Sequence, residues 1–259
     1  MLFISSFNVN SIKARLEIVK NYIIDNNIDV LLLQEIKCQN ENFPIEEFEN
    51  LGYQVEVSGQ KSYNGVAVIS KYPIEVVASK FFQYKSEYEN QARFLDVKIL
   101  DYRLISVYVP NGNPLGTIKY LYKLKWLDEF YTYCKKLYNT NEKVIIGGDF
   151  NVIQQDLDCY DTEVWINDAL FTEDVKKIFK RILNIGFADC FRVRNLGKRS
   201  YTFWDYQNGA WQKDNGIRID LFLLSPETLD LIQDCGIDKS LRSLQRPSDH
   251  TPIWIKLNN

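Results

Sequence analysis

The stretch KVIIGGDFNV, residues 143–152, sets an apolar block against two glycines, followed by Asp149 and, two positions on, Asn151. A short apolar run bounded by turn residues predicts a buried strand over 143–148. Asp149 and Asn151 leave that strand at its end, where sheet proteins concentrate their functional side chains. Alone, the Gly-Gly-Asp-x-Asn segment is equally an Asx turn in which glycine supplies positive φ. Repetition gives it weight. Strands are predicted over residues 2–9, 29–34, 54–57, 65–70, 75–82, 93–100, 103–109, 201–204, 219–224 and 251–257 as well. Polar residues sit at the ends of several. Asn8 follows the run 3–7, Glu35 follows 30–34, and Tyr108 lies near the end of 104–109. Asp220 opens 221–224, and Asp249 with His250 precedes 251–255. Each has a plain alternative: a turn hydrogen bond for Asn8, a surface position for Glu35 beside Lys37, a capped core imidazole for His250. Together they form a coherent set of oxygen ligands with one base.

Helices interrupt these strands. Ser11 is expected to cap one whose buried face is Ile12, Leu16, Val19 and Ile23, ending near Asn26 and Asn27. Residues 115–138 predict a long amphipathic helix. Thr172 caps a third, with Glu173 and Asp174 in its first turn, Lys180 and Arg181 near its end, and Gly186 beyond. No repeat, low-complexity tract or Pro/Gly/Ser-rich linker divides the 259 residues. The chain therefore reads as a single domain over 1–259, α/β in class, with two packed sheets covered by helices.

Composition narrows the chemistry. Hydrophobic residues at 46% and charged ones at 25% exclude disordered, collagen-like and coiled-coil classes. The single histidine, His250, excludes three-His zinc sites and H-E-x-x-H motifs. Any metal must be held mainly by oxygens of Asp, Glu and Asn, which selects Mg²⁺ or Mn²⁺. The five cysteines are odd in number, scattered and never spaced C-x-x-C. The opening MLFISSFNVN is too short and polar for a secretory h-region or a membrane span. Both features point to reduced thiols in the cytoplasm. Residues 1–179 carry 19 basic against 25 acidic side chains, net −6, and residues 180–259 carry 12 against 9, net +3. That balance does not advertise a nucleic-acid binder, although carboxylates gathered around a metal would contribute to it.

Eight stretches, in order and covering nearly the whole chain, resemble the exonuclease III type of apurinic/apyrimidinic (AP) endonuclease, in the endonuclease/exonuclease/phosphatase superfamily. They are FNVNSIKARL at 7–16, LLLQEIK at 31–37, GVAVISKYP at 65–73, YVPNG at 108–112, GGDFNV at 147–152, YTFWDY at 201–206, GIRIDLFLLS at 216–225 and PSDHTPI at 247–253. The resemblance implies a DNase I-like four-layer α/β sandwich with two central, mainly antiparallel sheets flanked by helices. It implies one or two Mg²⁺ ions, with Mn²⁺ as a substitute, on Glu35 assisted by Asn8. Asp149, Asn151, Asp249 and His250 would serve further metal positions. Asp149 would align or deprotonate the attacking water, and Asn151 would steady the transition-state phosphate. His250, oriented by Asp220, would contact a phosphate oxygen or act as the base. Tyr108 would contact the phosphate and assist the leaving group. Physical chemistry asks for these groups: negative charge grows on the phosphate and on the leaving oxygen, so cations and neutral donors are needed there. An Asp–His pair fixes the imidazole tautomer, and no G-x-S-x-G nucleophile is present.

The implied activity is hydrolysis 5′ to abasic sites in duplex DNA, together with removal of 3′-blocking groups or nucleotides, by a monomer with no membrane association. The superfamily's lipid- and inositol-headgroup phosphodiesterases share the metal core, so substrate must be argued from surrounding loops. An inactive DNA-binding module is the alternative of another class; it is expected to lose at least one of these polar residues, and none is lost. Phe203, Trp204, Trp211, Ile217 and Ile219 offer apolar surface for a base-less sugar, with ordinary strand core as the other reading of Phe203 and Trp204. Ile217 stands where some family members place Trp. Arg192, Arg194, Lys198, Arg199, Lys213, Arg218, Arg242 and Arg246 are expected to line a track for the DNA backbone. Asn111 and Asn113 are expected phosphate contacts.

Overall fold

The protein is described from a computed structural model, over residues 1–81 and 91–258. Twelve strands are present among these residues: β1 (Leu2–Asn8), β2 (Val30–Gln34), β3 (Gln54–Ser58), β4 (Val66–Ser70), β5 (Glu75–Ala78), β6 (Phe94–Ile99), β7 (Tyr102–Tyr108), β8 (Lys143–Asp149), β9 (Ala188–Asp189), β10 (Asp220–Leu224), β11 (Ile232–Ile237) and β12 (Ile253–Leu257). They form two six-stranded sheets, ordered β11-β12-β1-β2-β4-β3 and β5-β6-β7-β8-β10-β9. Each sheet has one parallel pair, β1 with β2 and β7 with β8, and is otherwise antiparallel.

The parallel pairs need crossovers, and helices supply them. Helix α1 (Ile12–Asn26) joins β1 to β2; α2 (Ile45–Glu49) precedes β3; α3 (Ile118–Tyr138) joins β7 to β8. The remaining helices are α4 (Thr162–Trp165), α5 (Glu173–Ile185), α6 (Cys190–Arg194) and α7 (Pro226–Leu229). Strands covered on both faces read as unbroken apolar runs, and their side chains alternate between two cores. Leu32 of β2 faces the space between the sheets with Ile4, Leu104, Ile145 and Phe222. Its neighbours Leu31 and Leu33 face outward, against Val19 and Ile23 of α1 and Phe48 of α2. On the other sheet, Val144 and Ile146 pack against Trp126 and Phe130 of α3 and Phe179 of α5. The four layers expected from the resemblance are thus present.

The glycine pair after Ile146 has a packing reason. A Cβ on Gly147 would lie 2.5 Å from Phe222 and 2.8 Å from Leu32, and one on Gly148 only 2.0 Å from the carbonyl oxygen of Val107. The sheets could not close over a larger residue there.

Several expectations are corrected. Residues 201–204 form no strand; Phe203 makes only isolated bridges to Ile217 and His250. Phe82, the end of the strand expected over 75–82, lies outside the described residues, and β5 stops at Ala78. Strand β11 is new; its half-exposed, bulged IQDCGI carries no clean alternation. Ser11 makes no side-chain cap. It sits at φ 88° and instead donates its backbone N–H to the carbonyl of Glu35. Thr172 caps α5 as expected, through Val175 N.

Candidate active site

The ends of β1, β2, β7 and β8 meet at one edge of the sandwich, and the expected polar residues meet there. Asn8 ends β1. Its Nδ2 donates to Glu35 Oε1 and to Asp149 Oδ2, both at 3.0 Å, while its Oδ1 accepts the Asn10 N–H. The amide nitrogen, not the oxygen expected as a metal ligand, therefore faces the carboxylates. Register places Tyr108 and Asp220 on either side of Asp149. Glu35 and Asn151 both adopt left-handed backbone, at φ 49° and 48°. For a glutamate this is uncommon and stores strain, a pattern seen where backbone is held for function. The surroundings hold it: Ser11 N and Ile12 N bond the carbonyls of Glu35 and Ile36, and Lys37 N bonds Asn64 O.

His250 is buried, with Nδ1 2.8 Å from Asp220 Oδ2 and Nε2 3.8 Å from Asp149 Oδ2. Burial pushes its pKa down, but Asp220, Asp149 and Asp249 outweigh burial and raise it to about 10. Asp149 is pushed the other way for a carboxylate, up to about 7, by burial and by the charges of Asp220 and Glu35 against the relief of His250. Burial also raises Glu35, yet Lys37 at 2.9 Å and the Asn8 amide bring it below the usual carboxylate range. Tyr108 is driven well above the ordinary phenol value by burial and by Glu35, so its O–H stays a donor. The Arg93 guanidinium lies 4.5 Å from its ring centre.

This donor set fits a hard cation. Among the described residues, ligand atoms of Glu35, Asp149 and His250 all lie within 4.8 Å of one another. Two carboxylates with one imidazole supply oxygen-rich ligands of the kind a hard cation takes. Asp249, expected to join the set, lines the same cleft but is engaged by Asn10 Nδ2 at 2.9 Å. Asn151 bonds Asp149 Oδ1 through its backbone N–H at 2.9 Å and Val109 O through Nδ2.

The cluster floors a cleft of about 330 Å³. Asn111, Asn113, Phe203, Ile217 and Ile219 line it, as expected. Trp204 does not: it is fully buried, bonded to Asp214 and edge-on to Trp211, itself packed outside the cleft. The aromatic wall is built by Trp165 instead, with Leu170. Arg218 is also misplaced as a DNA contact. It is 1% exposed and bonds Asp158 and Asp189, each at 2.7 Å. Arg192 shares Asp158, and Arg242 is buried under Tyr206 and Trp211. Of the expected basic track, Arg194, Lys198, Arg199, Lys213 and Arg246 are exposed.

Besides Trp165 and Leu170, four more contributors escaped the sequence reading. Asp168 accepts both bonds from Asn113 Nδ2. Arg15 ties the Asn10 carbonyl to that of Pro247, joining the loops that carry Asn8 and Asp249. Asn10 bridges Lys37 and Asp249. Lys123, buried on α3, donates to Asn151 O at 2.6 Å and Asn111 O at 3.0 Å. Its spacing to Leu127, Phe130, Cys134 and Leu137 places it on the buried face of α3, where the two carbonyls satisfy its nitrogen.

Known proteins share this architecture. The profile of the Endonuclease/Exonuclease/phosphatase family matches residues 5–250. Exodeoxyribonuclease III of Haemophilus influenzae is 31% identical over 267 residues, covering 99% of each chain. A solved AP endonuclease from Archaeoglobus fulgidus has a TM-score of 0.93 at 36% identity over the full length of both chains. A 3′ phosphatase from Neisseria, solved with a product DNA hairpin, has a TM-score of 0.94 at 32% identity, again over both full lengths.

Proposed function

Because the chain belongs to the Endonuclease/Exonuclease/phosphatase family, we propose that its cleft hydrolyses the phosphodiester 5′ to an abasic site in duplex DNA and also trims blocked 3′ ends. It is a nuclease of the exodeoxyribonuclease III and AP endonuclease type. The observation that carries it is the unbroken chain of contacts Glu35–Asn8–Asp149–His250–Asp220 beneath an apolar wall of Phe203, Ile217 and Ile219.

Glu35 and Asp149 are the groups that would hold Mg²⁺, or Mn²⁺ in its stead, with His250 beside them. Such an ion, when bound, neutralises charge on the phosphate and lowers the pKa of water. Asp149, buried with a raised pKa, takes the proton of the attacking water. His250, kept protonated by Asp220, donates to a phosphate oxygen, and Tyr108 donates to the phosphate or to the leaving oxygen. Asn151 and Asn111 hold the phosphate in line. Among the described residues no helix is long and apolar enough to cross a membrane.

A labelled duplex carrying one abasic analogue, incubated with Mg²⁺ or with EDTA, tests the reading. The expected result is a single cut 5′ to the lesion that needs the divalent ion. An intact duplex at saturating enzyme and Mg²⁺ overturns it.

A further inference from the structure

Beside the catalytic cleft lies a second chamber of about 270 Å³ that shares Trp165, Phe203, Ile217 and the carboxylate of Asp205 with it as a common partition. Tyr160 and Val164 complete its apolar side, and Gln207, Asn208, Asn215 and Lys213 its polar side.

We propose that this chamber receives a nucleobase swung out of the helix, from a nucleotide adjoining the one whose phosphate is cut. The inference rests on the DNA substrate proposed above. A phosphodiester seated on the cluster fixes where its neighbours go, because one strand advances only about 3.4 Å of helix axis per nucleotide. The chamber shares lining residues with the cleft, which puts it within one nucleotide's reach of a phosphate seated there. Tyr160, Trp165 and Phe203 present ring surface on which any base can stack. The carboxamides of Gln207, Asn208 and Asn215 carry both donors and acceptors for a base edge, and Lys213 supplies charge for a flanking phosphate. Extruding a base is cheapest beside a lesion or at a fraying end. The chamber thus favours the substrates that the cleft is proposed to cut.

The test measures binding of end-labelled duplexes to the Asp149→Asn variant by fluorescence anisotropy. One duplex carries a single abasic analogue; two others also lack the base on its 5′ or its 3′ side. Removing the neighbouring base on one side is expected to weaken binding about ten-fold, the scale of one base–aromatic stack, and removal on the other side to change little. Adding Val164→Trp fills the chamber from a position 57% exposed, and Trp165→Ala removes its partition; each is expected to abolish the difference. Equal affinity for all three duplexes, or a difference that survives both added substitutions, overturns the chamber while leaving the abasic reading intact. Failure of the unsubstituted protein to bind or cut any abasic duplex overturns both.

Discussion

The floor of the cleft takes its groups from strand ends, Asn8, Tyr108, Asp149 and Asp220, whereas the wall takes Trp165 from a four-residue helix and Phe203 and Ile217 from isolated bridges. On the floor, ladder hydrogen bonds on both sides of β8 fix where Asp149 stands relative to Tyr108 and Asp220. On the wall, a few loop contacts set the position of each ring. The floor therefore determines the reaction, and the wall is free to determine the substrate.

That division can be broken experimentally. The largest effect is expected from Asp149→Asn or His250→Ala, each lowering kcat by about 10²–10⁴-fold, the usual scale of a lost acid–base group. A folded variant turning over at the wild-type rate would remove that residue from the chemistry. Arg218→Met comes next, and in stability more than in rate. Its guanidinium joins Asp158 and Asp189 in the interior, and stranding buried carboxylates costs about 3–5 kcal/mol. Urea unfolding checks this, and an undiminished midpoint would return Arg218 to the list of DNA contacts. Asn8→Ala removes the donor shared by two proposed ligands and should lower Mg²⁺ affinity or activity about 10–100-fold, read from an Mg²⁺ titration of rate. An unchanged titration would show that the floor does not depend on that bridge.

The smallest effect concerns Lys123. Burial lowers its pKa from 10.5 to about 7, so the folded state binds its proton less well than the unfolded chain. Stability from this residue is lowest below pH 7 and rises as pH climbs from 7 towards 10.5. Replacing Lys123 with Met should flatten that rise in thermal melts taken between pH 7 and 9.5. An unaltered slope would mean that the ammonium stays charged against its two carbonyls.

The floor was legible in the sequence because buried strands announce themselves as apolar runs, and a polar residue at their end stands out. Asn8, Glu35, Asp149, Asp220 and His250 were all found this way, and the structure brings them together. The wall was not legible. Trp204 and Trp165 look alike as residues, and burial sends the first into a cluster with Tyr201 and Ala210 and the second to the cleft. Arg218 sits in a motif beside Asp220, but nothing in its spacing reveals that Asp158 and Asp189, distant in sequence, wait for it inside. Strand β11 escaped because an edge strand with one face in water and a bulge carries no sustained period.

Strand β1 lies between β2 and β12, and the cluster joins Asn8 to His250 across almost the entire chain. Asn8, Glu35, Tyr108 and Asp149 all precede Asp220 and His250 in the chain. Without residues 220–257, β1 has an open edge and Asp149 has no imidazole beside it. The carboxylates of the earlier part of the chain are thus completed by an imidazole and its aspartate from the later part, so a chain divided between them would part the two.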